Sequence, residues 1–179
     1  MKIKSKRPLY VLAAGAAVFL AAWSAGISLA VNTSPSMPRG LYLEVPVSSP
    51  KRGEIVAVCI PDKPGSQVYR ERDYLGPSTR CPVGMPPELK PLAAGPGDTV
   101  TVTAAGTRVN GVLLPNSRVF DTDSQGLPIA HLPIGWTKQL AAGEWFTLAH
   151  YIPRSLDSRY YGPVHRADIR GRVFPLLTE

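Results

Sequence analysis

Apolar and polar positions divide the chain near residue 32. Ahead of it, the 23 residues from Leu9 to Val31 carry no charge. As a helix rising ~1.5 Å per residue, such a run spans a hydrocarbon core of ~30 Å. Beyond it no segment keeps a 3.6-residue apolar period for three clean turns. Apolar residues fall instead into short runs, many with β-branched members: Gly40 to Val45, Glu54 to Ile60, Thr99 to Thr103, Arg108 to Leu114, Trp145 to Ala149 and Gly171 to Leu176. Turn residues separate them at Pro50 to Gly53, Gly95 to Asp98, Gly126 to Pro128 and Pro133 to Gly135. Asn110-Gly111, flanked by Val109 and Val112, predicts a tight hairpin, because both residues accept the positive φ of a type I′ turn. The pattern predicts a mainly β, antiparallel domain. Polar Arg70 to Arg80 reads as an exposed loop.

Charge placement gives the apolar run a direction. Lys2, Lys4, Lys6 and Arg7 precede it, and the positive-inside rule puts that end in the cytoplasm and the rest outside. The expected organisation is a basic cytoplasmic tail at 1–8, a transmembrane anchor at 9–31 and an extracytoplasmic domain at 32–179. Ser28-Leu29-Ala30 has small residues spaced like a cleavage site, so a removable signal peptide competes with the anchor. The run is much longer than the ~7–15 residues of a signal h-region, which favours retention. Because the basic excess is concentrated at the N-terminus, the net charge of +7 does not point to nucleic acid. There is no Lys/Arg stripe interleaved with aromatics. Cys59 and Cys81 are the only cysteines and lie on the exported side, where such a pair usually oxidises. Two unrelated buried thiols are the alternative; an isolated pair lacks the ligands for a zinc site.

Three polar segments carry candidate chemistry. Ser34-Pro35-Ser36-Met37-Pro38-Arg39-Gly40 follows the apolar run at once and leads directly into a strand, which makes it a poor flexible tether. Lys90 has apolar neighbours, Leu89, Leu92, Ala93 and Ala94, and stands eight residues before Asp98 of a Pro-Gly-Asp turn. Burial makes a lysine easier to deprotonate. Ser155-Leu156-Asp157-Ser158-Arg159-Tyr160-Tyr161-Gly162 places Asp157 and Arg159 two apart, on one face if the segment is a strand.

A Ser-X-Ser-Met box behind a single apolar run, a Lys with Pro-Gly-Asp downstream and an Asp-Ser-Arg-Tyr-X-Gly box, in that order, resemble the boxes of type I signal peptidases (serine peptidases S26). Arg52-Gly53-Glu54-Ile55-Val56 is similar to the family's Gly-Asp-Ile/Val-Val segment. Two features depart from the housekeeping enzymes. Ala149-His150-Tyr151-Ile152 stands where they have Gly-Asp-Asn-Arg, and the serine box continues Met-Pro-Arg-Gly. With the small size, these resemble the TraF-type conjugal transfer branch, whose members process pilin subunits and in some cases join the pilin ends into a ring.

The resemblance implies a serine endopeptidase of the bacterial inner membrane with its domain in the periplasm and no cofactor. Ser36 would be the nucleophile and Lys90, as a neutral amine, its base. Ser34 and the Ser36 backbone N–H would form the oxyanion hole, and Ser155 would orient the lysine. Asp157 is counted as essential in the branch; with Arg159 it would also fix the strand carrying Ser155. Implied partners are a pilin precursor or other exported protein, the lipid bilayer and a conjugative (type IV) secretion apparatus. Two other readings compete. His131, His150 and His165 could serve a Ser-His-Asp triad, although no Gly-X-Ser-X-Gly elbow exists. A noncatalytic membrane-anchored scaffold of a pilus apparatus would share the anchor and cysteines, but gives no reason for the three boxes to occur in order.

Overall fold

A computed structural model describes residues 7–63 and 66–179, with the side chains of residues 7–9 left out. The basic tail residues Lys2, Lys4 and Lys6 lie outside them. The uncharged run is not one helix. Helix α1 (Arg7–Ser24) ends where Gly26, at φ +75°, takes the left-handed conformation that closes a helix. The chain then extends as strand β1 (Ser28–Asn32), which pairs with β2 (Gly40–Pro46). The ladder supplies backbone partners, and alternation buries Ala30 and Asn32 while Leu29 and Val31 face out. This corrects the expectation of a single helix over 9–31. Among the described residues no helix is long and apolar enough to cross a membrane.

The rest is mainly antiparallel β. After β2 come β3 (Ile55–Val58), a one-turn helix α2 (Gln67–Glu71), β4 (Glu88–Ala94), β5 (Thr99–Thr103), β6 (Gly106–Val109) and β7 (Val112–Leu113). Then follow β8 (Thr137–Gln139), β9 (Glu144–Thr147), α3 (Ser158–Tyr161), β10 (Val164–His165) and β11 (Ile169–Thr178). The described strands form a seven-stranded sheet, β1-β2-β11-β3-β4-β9-β10, and a four-stranded sheet, β7-β6-β5-β8. Val109 pairs with Val112, and Asn110 and Gly111 have φ of +50° and +82°, as the hairpin expectation required.

One close approach fixes an end of the large sheet. Gly40 has φ +138°, and a Cβ there would lie 2.0 Å from the Leu177 carbonyl oxygen. Only glycine lets β11 run this near to β2, just behind the serine box. The Pro96-Gly97-Asp98 turn is likewise a structural device. Asp98 accepts from the Gly95 N–H at 2.9 Å and from Asn110 Nδ2 at 2.7 Å, tying the β4–β5 turn to the hairpin.

Two local expectations change. Arg70 to Arg80 is a loop from Arg72 onward, but Arg70 and Glu71 end α2, and Tyr74 and Leu75, partly buried, pack against the cluster that holds Val56, Met85 and Leu92. The Asp157–Arg159 segment is no strand. The Asp157 carboxylate accepts the Arg159 backbone N–H and caps α3, as a short acidic side chain at a helix start does. Cys59 and Cys81 form a disulfide with Cα atoms 5.5 Å apart, tying the end of β3 to the loop before β4.

Candidate active site

The serine box is held by Asn32, the last residue of β1. Its Oδ1 accepts the Ser34 N–H at 3.1 Å. Its Nδ2 donates to the carbonyls of Ser34, Met37 and Pro38 at 2.9, 3.0 and 2.9 Å. Tyr42 on β2 donates to the Pro38 carbonyl at 2.7 Å. Met37 sinks among Ala30, Tyr42, Ala57, Leu89 and Val173 and presses the loop onto the sheet. The two serines therefore sit on a braced turn. Ser36 Oγ lies 2.9 Å from Ser34 Oγ, which also accepts the Ser36 N–H at 3.2 Å. Asn32 belongs to none of the three boxes; its one signal in the sequence is an asparagine two residues before a serine, an Asx-turn pattern.

Lys90 lies mid-strand in β4, opposite Val56 of β3. Neighbouring strands on both sides make β4 a rigid platform. Lys90 is 2% exposed. Its Nζ donates to Ser36 Oγ at 3.1 Å and to Ser155 Oγ at 2.9 Å, so residues 54 and 65 positions apart converge on one amine. Its third neighbour is Glu88 Oε1 at 3.5 Å. Glu88 belongs to no box of the sequence, although it precedes Lys90 by two and strand alternation puts both on one face. Burial pushes the Glu88 carboxyl up to about 7, against the pull of Lys90.

Arg159 organises the third wall. It is fully buried. Its Nε and Nη2 donate to the two Asp157 oxygens, each at 2.8 Å. Nη1 donates to the carbonyls of Asn116, Arg118 and Pro153, and Nη2 to that of Ser155 at 3.0 Å. Asp157 also accepts the Ala149 N–H at 3.2 Å. Its hydrogen bonds go to Arg159 and Ala149, none to Ser36 or Lys90. The structure thus brings Ser34, Ser36, Lys90 and Ser155 together and sets Asp157 and Arg159 behind Ser155.

Two clefts meet at Ser34, Ser36, Glu88 and Lys90. One, of about 510 Å³, runs between β1 and the Pro86–Leu89 stretch. The other, of about 420 Å³, is walled by Tyr74, Asp123, Ile129, Arg154, Leu156 and Tyr160. Among the described residues no group of His, Cys, Asp and Glu is arranged to hold a metal. His131 bonds Asp121 and the Leu132 carbonyl, and His150 stacks on Tyr151; neither is a hydrogen-bond partner of Ser36.

Buried hydroxyls around a buried amine, on an antiparallel sheet, define a candidate serine–lysine hydrolytic site. The chain belongs to the signal peptidase, peptidase S26, family, which it matches over residues 4–177. Its relatives include the plasmid transfer protein TraF of Escherichia coli, 35% identical over 172 residues, 94% of each chain. The conjugal transfer protein TraF of Agrobacterium tumefaciens is 31% identical over 183 residues, 98% of each. A probable conjugal transfer protein TraF of Sinorhizobium fredii is 32% identical over 159 residues, 88% of this chain and 80% of that one. Among solved structures, a signal peptidase I from Enterococcus faecalis covers 70% of this chain and 97% of its own at 22% identity, with a TM-score of 0.38.

Proposed function

We propose that this chain is a membrane-anchored serine endopeptidase of the signal peptidase I type that processes a pilin-like precursor for conjugative transfer. The observation that carries the reading is Lys90 Nζ, buried between Ser36 Oγ and Ser155 Oγ. The names of the TraF relatives support the conjugative setting. Ser36 Oγ attacks the scissile carbonyl carbon and its proton passes to Lys90, which must meet it as a free amine. Lys90 then returns that proton to the departing amine nitrogen, leaving an acyl ester on Ser36. Water resolves the ester to a linear product; a substrate amino terminus held nearby resolves it to a ring. The Ser34 hydroxyl and the Ser36 N–H serve the developing oxyanion once Ser34 turns from its neighbour, each such donor contributing ~3–4 kcal/mol. Ser155 orients the amine, and Asp157 and Arg159 hold Ser155.

The apolar N-terminal segment anchors the chain in the bacterial inner membrane, with the N-terminus in the cytoplasm and the β domain in the periplasm. Val11, Leu12, Phe19, Leu20 and Trp23 of α1 stand exposed, and Leu29 and Val31 of β1 extend the apolar surface toward the domain. The disulfide fits an oxidising compartment. The proposed partners are therefore the bilayer, an exported precursor and the conjugative secretion apparatus.

Ser36→Ala and Lys90→Ala are each expected to abolish processing of the precursor while the protein still accumulates. The double variant should be no worse than either single one, because members of a catalytic unit are not additive. Substantial processing by Lys90→Ala at neutral pH would sink the dyad. Undiminished processing by Ser36→Ala would leave a noncatalytic scaffold.

A further inference from the structure

Beyond the serine, the lysine and their supports, one buried ionisable group shares the site without a part in the reaction. Glu88 and Lys90 project from one face of β4, with Oε1 and Nζ 3.5 Å apart and both residues almost wholly buried. The carboxyl is thinly supported for a buried charge. Besides the amine, it receives the Tyr161 hydroxyl at a long 3.4 Å. That hydroxyl belongs to an internal chain with Thr147 Oγ1 and Ser158 Oγ, linked by contacts of 2.9 Å, which runs into the core. Both Glu88 and Lys90 line both clefts that meet at Ser36.

We propose that Glu88 is a positioning residue of this site that shares one proton with Lys90, so that the lysine faces Ser36 as a free amine whenever the proton rests on the carboxyl. The inference rests on the serine–lysine reading. A buried pair carrying one proton can place it on the amine, as two opposite charges, or on the carboxyl, as two neutral groups. Desolvation penalises the charged arrangement. The upward push that burial gives the Glu88 carboxyl, to about 7, is consistent with that preference. Protons bound by so close a pair leave in two steps that belong to the pair. The surroundings favour the neutral carboxyl too. Asp157, capping α3, adds negative charge nearby. Tyr69 of α2 and Tyr161 of α3 remain uncharged, since burial pushes both phenols up. Arg72, on the wall of the smaller cleft, is paired with Asp123. The Ser36 proton moves to the free amine, the carboxyl keeps its own proton, and the new ammonium faces the new oxyanion.

With two protons on the pair, Lys90 is an ammonium and Ser36 has no base. With one, the amine is free for part of the time; with none, always. Ser36-dependent acylation therefore rises in two steps with increasing pH. Glu88→Gln keeps the shape and removes one titrating group. It also removes the negative charge that holds a proton on the amine. Its profile should show one step, complete at lower pH than the wild-type rise, because the opposite charge is gone.

The full chain in detergent micelles is acylated with p-nitrophenyl acetate across pH 5 to 10, with Ser36→Ala as the blank. In parallel, carbon-13-labelled glutamate carboxyls are titrated by NMR, Glu88 being the signal lost in Glu88→Gln. The expected result is two steps becoming one, with the Glu88 signal following both steps of the wild-type profile, above the ordinary carboxylate range, and titrating in a single step in Lys90→Met. A Glu88→Gln profile with the wild-type number and position of steps would overturn the proposal. So would a Glu88 signal that titrates in the ordinary carboxylate range and ignores Lys90→Met. Absence of any Ser36-dependent acylation would defeat the serine–lysine reading instead, with the NMR titration still deciding the Glu88–Lys90 coupling.

Discussion

Asp157→Asn separates a structural aspartate from a chemical one. The Asp157–Arg159 pair is fully buried, and the guanidinium also satisfies the carbonyls of Asn116, Arg118, Pro153 and Ser155. Asparagine preserves the shape and one acceptor oxygen but leaves the guanidinium without its counter-charge. Removing one partner of such a pair costs about 3–5 kcal/mol, a large share of the ~5–15 kcal/mol that holds a domain folded. Arg159→Met should cost at least as much, since it strands a buried carboxylate and four carbonyls. Asp157→Leu with Arg159→Met removes both charges and should cost clearly less than the two single changes added together. The assay is urea unfolding in micelles, followed by the fluorescence of Trp145, which lies in the core. Ser36-dependent acylation is measured alongside at a temperature where each variant is folded. The structure ties Ser155 to Arg159 and Ser155 to Lys90, so activity should fall together with stability. If Asp157→Asn unfolds at the wild-type urea concentration yet has lost acylation, the scaffold reasoning is wrong and Asp157 acts in the chemistry.

Two further outcomes are expected. Thiol alkylation of the unreduced, denatured protein should label neither cysteine, and Cys59→Ser should lower stability by about 3 kcal/mol for a closed loop of this length; full labelling without reductant would refute the bond. If a substrate amine resolves the acyl-enzyme, the mature pilin should weigh one water less than the linear cleaved form and lack a free amino terminus. A subunit of full linear mass with a free amino terminus would make this chain a plain peptidase.

Local chemistry made much of the fold legible in the sequence. Thr99 to Thr103 is strand β5 to the residue, because alternating valines need one apolar face and the Pro-Gly-Asp turn sets the start. The Asn110-Gly111 turn and the Cys59–Cys81 bridge were legible for a similar reason: Asn-Gly accepts positive φ at both residues, and two cysteines alone in a chain can pair only with each other. The serine, lysine and Asp-Ser-Arg boxes were legible as motifs. Their convergence was implied only by the resemblance, since no local preference brings Ser36 and Ser155 onto the Lys90 amine. Three cases were decided by long-range contacts. Ser28–Asn32 reads as the tail of an apolar run, and only the ladder to β2 turns it into a strand. Asp157 and Arg159 read as a strand pair, and only the carbonyls gathered around the guanidinium make the segment a capped turn. Glu88 reads as an ordinary charge, and only burial beneath Tyr161 and beside Lys90 makes it part of the site. Periodicity and turn residues act within a few positions of the chain. Burial and the meeting of distant polar groups exist only once the sheets have closed, and on those the candidate chemistry depends.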